Sequence, residues 1–127
     1  MTHYFHDVTN EEDFDYLTEH SNVCVVDFYA QWCGPCKTLT AALEKKIGAD
    51  NVLATNTFKH GVTSVNNLNR HISFIKVNVD NFEDLAAKFE VSSLPHVVFY
   101  SNGALTTNVV NGCNPDKVLD IVRLLAQ

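Results

Sequence analysis

The run Val23-Cys24-Val25-Val26-Asp27-Phe28-Tyr29-Ala30-Gln31-Trp32-Cys33-Gly34-Pro35-Cys36-Lys37 decides how the rest of the chain is read. Its first eight residues are apolar on both faces apart from Asp27, the pattern of a strand buried at the centre of a sheet. The last residues open a helix, in which Leu39, Leu43 and Ile47 recur at four-residue spacing as a core stripe. Pro35 suits a first helical turn, where its missing N–H would be unpaired anyway, and Gly34 lets the chain turn tightly. Two cysteines with two residues between them thus stand at a helix start, where one turn brings both sulfurs close enough to bond.

That placement predicts a redox couple with two unequal members. Cys33 lies where unpaired N–H groups and the helix dipole favour negative charge, so its thiol should ionise readily and act as nucleophile. Cys36, one turn inside, should be more shielded and serve as the resolving thiol. A Cys-x-x-Cys pair is also half of a zinc site. Completing one would take Cys24, Cys113 or a histidine, and no second Cys-x-x-Cys or His-x3–5-His stands at finger spacing. We therefore expect no metal and no cofactor. His3 with His6, or His60 with His71, could bind a metal, but placement on the surface is the simpler reading.

Outward from this run, strands and helices alternate, which indicates an α/β layer fold. Tyr4 to Val8 reads as a short edge strand. Thr9-Asn10-Glu11-Glu12 has capping-box form before a helix with Phe14 and Leu17 on one face. Ile72 to Val79 is a strand with Lys76 as its one charged residue. Phe82, Leu85 and Phe89 carry a third helix. Leu94-Pro95 leads into a strand from His96 to Tyr100. Asn102-Gly103 signals a hairpin turn, and Leu105 to Val110 is the returning strand. Asn114-Pro115 supplies a cap and a first-turn proline for a last helix, with Val118, Ile121, Val122 and Leu125 facing inward. Residues 48–71, rich in Asn, Thr and Val and lacking a clean period, read as a loop or partly helical excursion.

The 127 residues fit one domain, and 46% hydrophobic residues can bury a core without disulfide staples. Nine basic against fifteen acidic residues give a net charge of -6, which argues against nucleic acid or anionic membrane as partners. No apolar run reaches the length of a membrane span. The first residues lack the layout of a secretory or transit signal, so a cytoplasmic location is expected, where a close cysteine pair is catalytic or metal-binding rather than structural.

Val26 to Lys37 resembles the active-site stretch of the thioredoxin family nearly letter for letter. The similarity extends to Lys76-Val77-Asn78-Val79-Asp80, Leu94-Pro95, Asn102-Gly103 and Gly112, and so covers most of the chain apart from residues 48–71. It implies a thioredoxin fold over residues 1–127, with a central mixed sheet of about five strands flanked by about four helices and an insertion around 48–71. It implies that Pro95 is cis and lies against the cysteine pair; from the residues alone it is only a strand-start proline. Leu94 would then offer its backbone to an extended substrate as an added strand. The implied activity is reduction of disulfides in client proteins of peroxiredoxin or ribonucleotide reductase type, by a monomer recharged by thioredoxin reductase. The Gly34-Pro35 dipeptide resembles that of reducing members, whereas isomerases usually carry Gly-His.

The remaining candidates each have two readings. Asp27 in a buried strand should have a raised pKa and can accept a proton from Cys36, or it is a solvated acid near a strand end. Lys76 resembles the family lysine near this aspartate, or it points outward from a strand edge. Trp32 shields the pair and shapes the docking surface with Gly34, Pro35, Leu94, Pro95 and Gly112, or it only packs. Cys24 reads as inert, and Cys113 as either inert or an exposed, modifiable thiol. Two departures from the family pattern stand out. His96 replaces a common Thr and adds a titrating group, and Ala41 replaces a kinking proline, predicting a straighter helix. Two other functions compete: an isomerase or oxidase of secreted proteins, and a docking module in which redox chemistry is incidental.

Overall fold

Strand β1 (His6–Asp7), helix α1 (Glu11–His20), strand β2 (Val23–Tyr29) and helix α2 (Gly34–Ala49) form the first half of the chain. Strands β3 (Thr55–Lys59), β4 (Val62–Val65) and β5 (Arg70–Asn78) follow, then α3 (Glu83–Lys88), β6 (His96–Ser101), β7 (Ala104–Asn111) and α4 (Pro115–Leu125). This computed structural model describes residues 4–49, 55–59, 62–65 and 70–126, with residues 49, 55–59, 62–65, 70 and 71 described by their backbone alone.

The strands lie in the order β3-β4-β5-β2-β6-β7, with β1 also paired to β5. β2 runs parallel to β5 and antiparallel to β6, and β6 and β7 form an antiparallel hairpin, so the sheet is mixed. The outer edge of β5 is shared: β4 pairs Arg70 to Ser73, and β1 pairs Ile75 and Lys76. The five strands β1, β2, β5, β6 and β7 with four helices match the mixed sheet and helices that the resemblance implies, and β3 and β4 are joined to them.

Alternation along β2 divides the core into two layers. Val23 and Val25 face Leu39, Leu43, Ile47, Phe74, Val118 and Val122 on the side covered by α2 and α4. Cys24, Val26 and Phe28 face Phe14, Ile75, Val77 and Leu85 on the side of α1 and α3. Each such fully buried side chain contributes about 1.5–3 kcal/mol. Every residue of β2 is buried, as expected of the central strand. Asp27 continues the Val23–Val25 face and therefore sits under α2.

The hairpin turn has both residues at positive φ, Asn102 at 51° and Gly103 at 85°, the geometry that matches the twist of a two-residue hairpin. A Cβ on Gly103 would also stand 3.2 Å from the Glu19 carbonyl oxygen. Asn114 caps α4 by accepting from the Lys117 N–H, with Pro115 in the first turn. The expected apolar face of α4 also includes Leu119, which is fully packed, while Ile121 and Leu125 lie at its half-buried rim.

Two local expectations are adjusted and a third holds. The cap of α1 is Asn10, whose side chain accepts from the Asp13 N–H at 2.7 Å, one residue later than the Thr9 capping box predicts. Asn caps at least as well as Thr, so the shift costs nothing. α2 runs unbroken through Ala41, as the missing proline predicts. The excursion at 48–71 begins with the end of α2, and its described parts are then the extended segments β3 and β4. Their Thr and Val residues favour strand over helix. The rest of it, like His3 and His60, lies outside the described residues, and His71 is described by its backbone only.

Candidate active site

β2 ends at Tyr29 and the chain turns over four residues, held where the Cys33 N–H donates to the Ala30 carbonyl at 3.1 Å, before α2 starts at Gly34. Cys33 and Cys36 are joined as a disulfide with their Cα atoms 5.3 Å apart. The Cys36 N–H donates to the Cys33 sulfur at 3.2 Å. An unpaired helix N–H thus points at the expected nucleophile, where it would stabilise a thiolate. Exposure alone barely separates the two cysteines, at 5% and 2%. Their surroundings do: Cys33 lines one surface cleft, and Cys36 lines another on the far side of the helix start.

The Cys33 cleft holds about 430 Å³ and is walled by Trp32, Gly34, Pro35, Val79, Val91 and Leu94. Trp32 is 71% exposed, and its indole N–H donates to Asp80 at 3.0 Å, so the ring is held as a wall rather than packed into the core. The Leu94–Pro95 bond is cis. The Gly112 N–H donates to the Pro95 carbonyl at 2.9 Å, which ties the end of β7 to the start of β6. Of the residues expected at a docking surface, Trp32, Gly34, Pro35 and Leu94 meet in this cleft, while Pro95 is buried and does not line it, and Gly112 is bonded to Pro95. Sequence reasoning missed Asp80, Val79 and Val91 as its neighbours. Asp80 ends a stretch already singled out, but its partner could not be read from spacing.

Asp27 is fully buried on the α2 side, and neither carboxylate oxygen has a hydrogen-bond partner among the described residues. Burial pushes its pKa up to about 7; the Lys76 ammonium and the Thr40 hydroxyl oppose the rise. That hydroxyl donates to the Cys36 carbonyl at 3.1 Å, so its hydrogen is already used and its help to the carboxylate is small. Lys76 is the register partner of Asp27 across the β2–β5 pair, and its amine stands 4.1 Å from the centre of the Tyr29 ring. The outward-pointing reading of Lys76 does not hold: its side chain is half-buried and turns toward the site. The second cleft, of about 490 Å³, joins Cys36 to Tyr29, Lys76, Thr40 and Asp7. Asp27 is not among its walls and lies next to Lys76 across the sheet.

The other candidates fall outside this centre. His96 is buried with its Nδ1 2.8 Å from the Asn111 Oδ1, bracing β6 against β7. Cys24 is buried in the opposite layer and burial raises its thiol pKa, which makes it inert. Cys113 is exposed. Among the described residues no three His, Cys, Asp or Glu side chains gather as a metal site.

The sequence model of the thioredoxin family matches residues 5–123. The chain is 36% identical over 99 residues to thioredoxin-2 of Saccharomyces cerevisiae, covering 78% of this chain and 76% of that one. It is 31% identical over 98 residues to a thioredoxin of Mycoplasmoides gallisepticum, covering 77% and 79%. Among solved structures, oxidised mitochondrial thioredoxin 3 of Saccharomyces cerevisiae superposes with a TM-score of 0.70 at 28% identity, covering 94% of this chain and 93% of that one.

Proposed function

The chain belongs to the thioredoxin family, and on that premise we propose that it works in the reducing direction, as a cytoplasmic disulfide reductase for client proteins. It is a thiol–disulfide oxidoreductase whose working couple is Cys33–Cys36. The observation that carries the reading is the division of the couple between two clefts, Cys33 facing an apolar docking groove and Cys36 facing a cleft with Lys76, beside the buried Asp27.

In the reduced protein, the Cys33 thiolate attacks one sulfur of a client disulfide. A mixed disulfide forms and the other client sulfur leaves as thiolate. Asp27 takes the Cys36 proton through water, and the Cys36 thiolate attacks Cys33. The Cys33–Cys36 bond forms, the bond to the client breaks, and the client leaves with two electrons gained. Trp32, Gly34, Pro35 and Leu94 hold the client at the groove, Leu94 through its backbone as an added strand. Pro95 and Gly112 hold that backbone in place.

Gly34-Pro35 between the cysteines supports the reducing direction, and such a couple needs a compartment that keeps thiols reduced, which supports the cytoplasm. Among the described residues no helix is long and apolar enough to cross a membrane. The clients that fit are proteins with an accessible disulfide, of peroxiredoxin or ribonucleotide reductase type. A thioredoxin reductase recharges the dithiol, and the chain acts as a monomer.

Equilibration of the couple against a dithiol buffer tests the direction. A potential near about -270 mV is expected, a figure that is the general value for thioredoxin itself and is not worked from this structure; roughly -180 to -120 mV would place the couple with isomerases or oxidases. Cys33→Ser should abolish reduction of insulin disulfides, and Cys36→Ser should accumulate mixed disulfides with clients. Turnover by Cys33→Ser would refute the assignment of the nucleophile.

A further inference from the structure

Asp7, Lys76 and Asp27 stand on one rung of three adjacent parallel strands, Asp7 paired to Lys76 and Lys76 to Asp27. Residues on a rung point to the same face about 4.8 Å apart, so a single ammonium has a carboxylate on each side. Tyr29, two residues beyond Asp27 on β2, shares that face. Its hydroxyl donates to both oxygens of Asp7, at 2.9 and 2.7 Å, and its ring lies under the Lys76 amine at 4.1 Å. Asp7 is exposed at the cleft mouth, while Tyr29 is 5% exposed. The mechanism above uses neither Asp7 nor Tyr29.

We propose that Tyr29 and Asp7 are positioning residues for Lys76: the Tyr29 hydroxyl occupies Asp7 and its ring holds the ammonium, so that Lys76 serves Asp27 instead of pairing with Asp7. The inference rests on the reading of Asp27 as the acceptor of the Cys36 proton. Without the hydroxyl, the Asp7 carboxylate loses its partner and competes for Lys76 across the rung. An ammonium drawn toward Asp7 stabilises ionised Asp27 less, and the carboxyl holds its proton to higher pH.

Burial and Asp7 both raise the pKa of Tyr29, so the phenol stays protonated and remains the donor across the working pH range. The charged and titratable groups around Asp27 are few. Lys76 faces it from β5 and Tyr29 from its own strand; Cys36, Lys37 and Glu44 line the adjoining cleft from α2, and Asp7 from β1. On β6 the cross-strand partner of Asp27 is Val97, while His96 pairs with Phe28 on the opposite face.

The test is the titration of the Asp27 carboxyl, followed by carbon NMR in the intact reduced protein. Tyr29→Phe keeps the ring and should move the midpoint upward by about half a pH unit. Adding Asp7→Asn removes the competitor and should return the midpoint to that of the parent. An unmoved midpoint in Tyr29→Phe, or a shift that survives in the double variant, overturns the proposal. Should Tyr29→Phe fold poorly, Asp7→Asn alone should leave the midpoint where the parent has it, because the hydroxyl already occupies Asp7; a shift of about half a pH unit or more in either direction overturns it. The underlying reading fails separately: it falls if Asp27→Asn releases clients from the mixed disulfide as fast as the parent, whatever the titration shows.

Discussion

Replacing Asp27 by Asn should stabilise the oxidised protein, and the gain should depend on pH in a way that no packing change can imitate. The carboxyl is fully buried without a hydrogen-bond partner among the described residues, and its pKa rises from an ordinary 3.8 to about 7. Below the unfolded-state value both states hold the proton, and burial costs no ionisation. Between pH 4 and 7 the unfolded chain releases that proton while the folded one keeps it, so stability falls as pH rises. Above the folded pKa the loss is complete. A rise of about three units at about 1.4 kcal/mol each amounts to roughly 4 kcal/mol. Asn keeps the shape and never ionises, so it should match the parent near pH 4 and exceed it by roughly 4 kcal/mol at pH 8.5. With a urea dependence of about 2 kcal/mol per molar, the midpoint of unfolding would differ by roughly 2 M at the higher pH. Urea unfolding of both disulfide-bonded proteins between pH 4 and 9 makes the measurement. A difference that stays constant over this range would refute the argument that Asp27 is buried as an ionisable, unpaired acid.

Other outcomes follow from the same geometry. Trp32→Ala removes a wall of the Cys33 groove and the bond to Asp80; KM for insulin should rise roughly tenfold while reduction of a small aromatic disulfide changes little. Equal losses on both substrates would place Trp32 in the chemistry instead. Leu43→Ala opens a cavity between α2 and the sheet and should cost about 3 kcal/mol in urea unfolding, with the couple's potential unmoved. Asn10→Ala removes the α1 cap and should cost about 1 kcal/mol, read as a lower melting temperature; no change would mean that the bond to the Asp13 N–H is replaced by water.

Much of this protein is written in local pattern. The buried strand Val23 to Ala30, the cysteine pair at a helix start, the Asn114-Pro115 cap and the Asn102-Gly103 turn each depend on residues within a few positions of one another. Spacing and residue chemistry therefore suffice to read them. The raised pKa of Asp27 was also legible, because an acid inside an apolar strand is desolvated in any sheet that buries it. What the residues could not say is what stands beside what. The Asn, Thr and Val stretch after α2 has no period of its own, and its described parts become strands by pairing, β4 on β5 and β3 on β4. Lys76 could point outward or inward until the register of β5 against β2 set it opposite Asp27. Asp7 and Tyr29 carried no signal at all, since their bond joins residues of two strands that never pair directly and meet only across β5. The chain alone determines the reactive pair, because its chemistry lies within one helical turn. The tertiary structure alone decides which charges surround it, because sheet register brings together residues tens of positions apart.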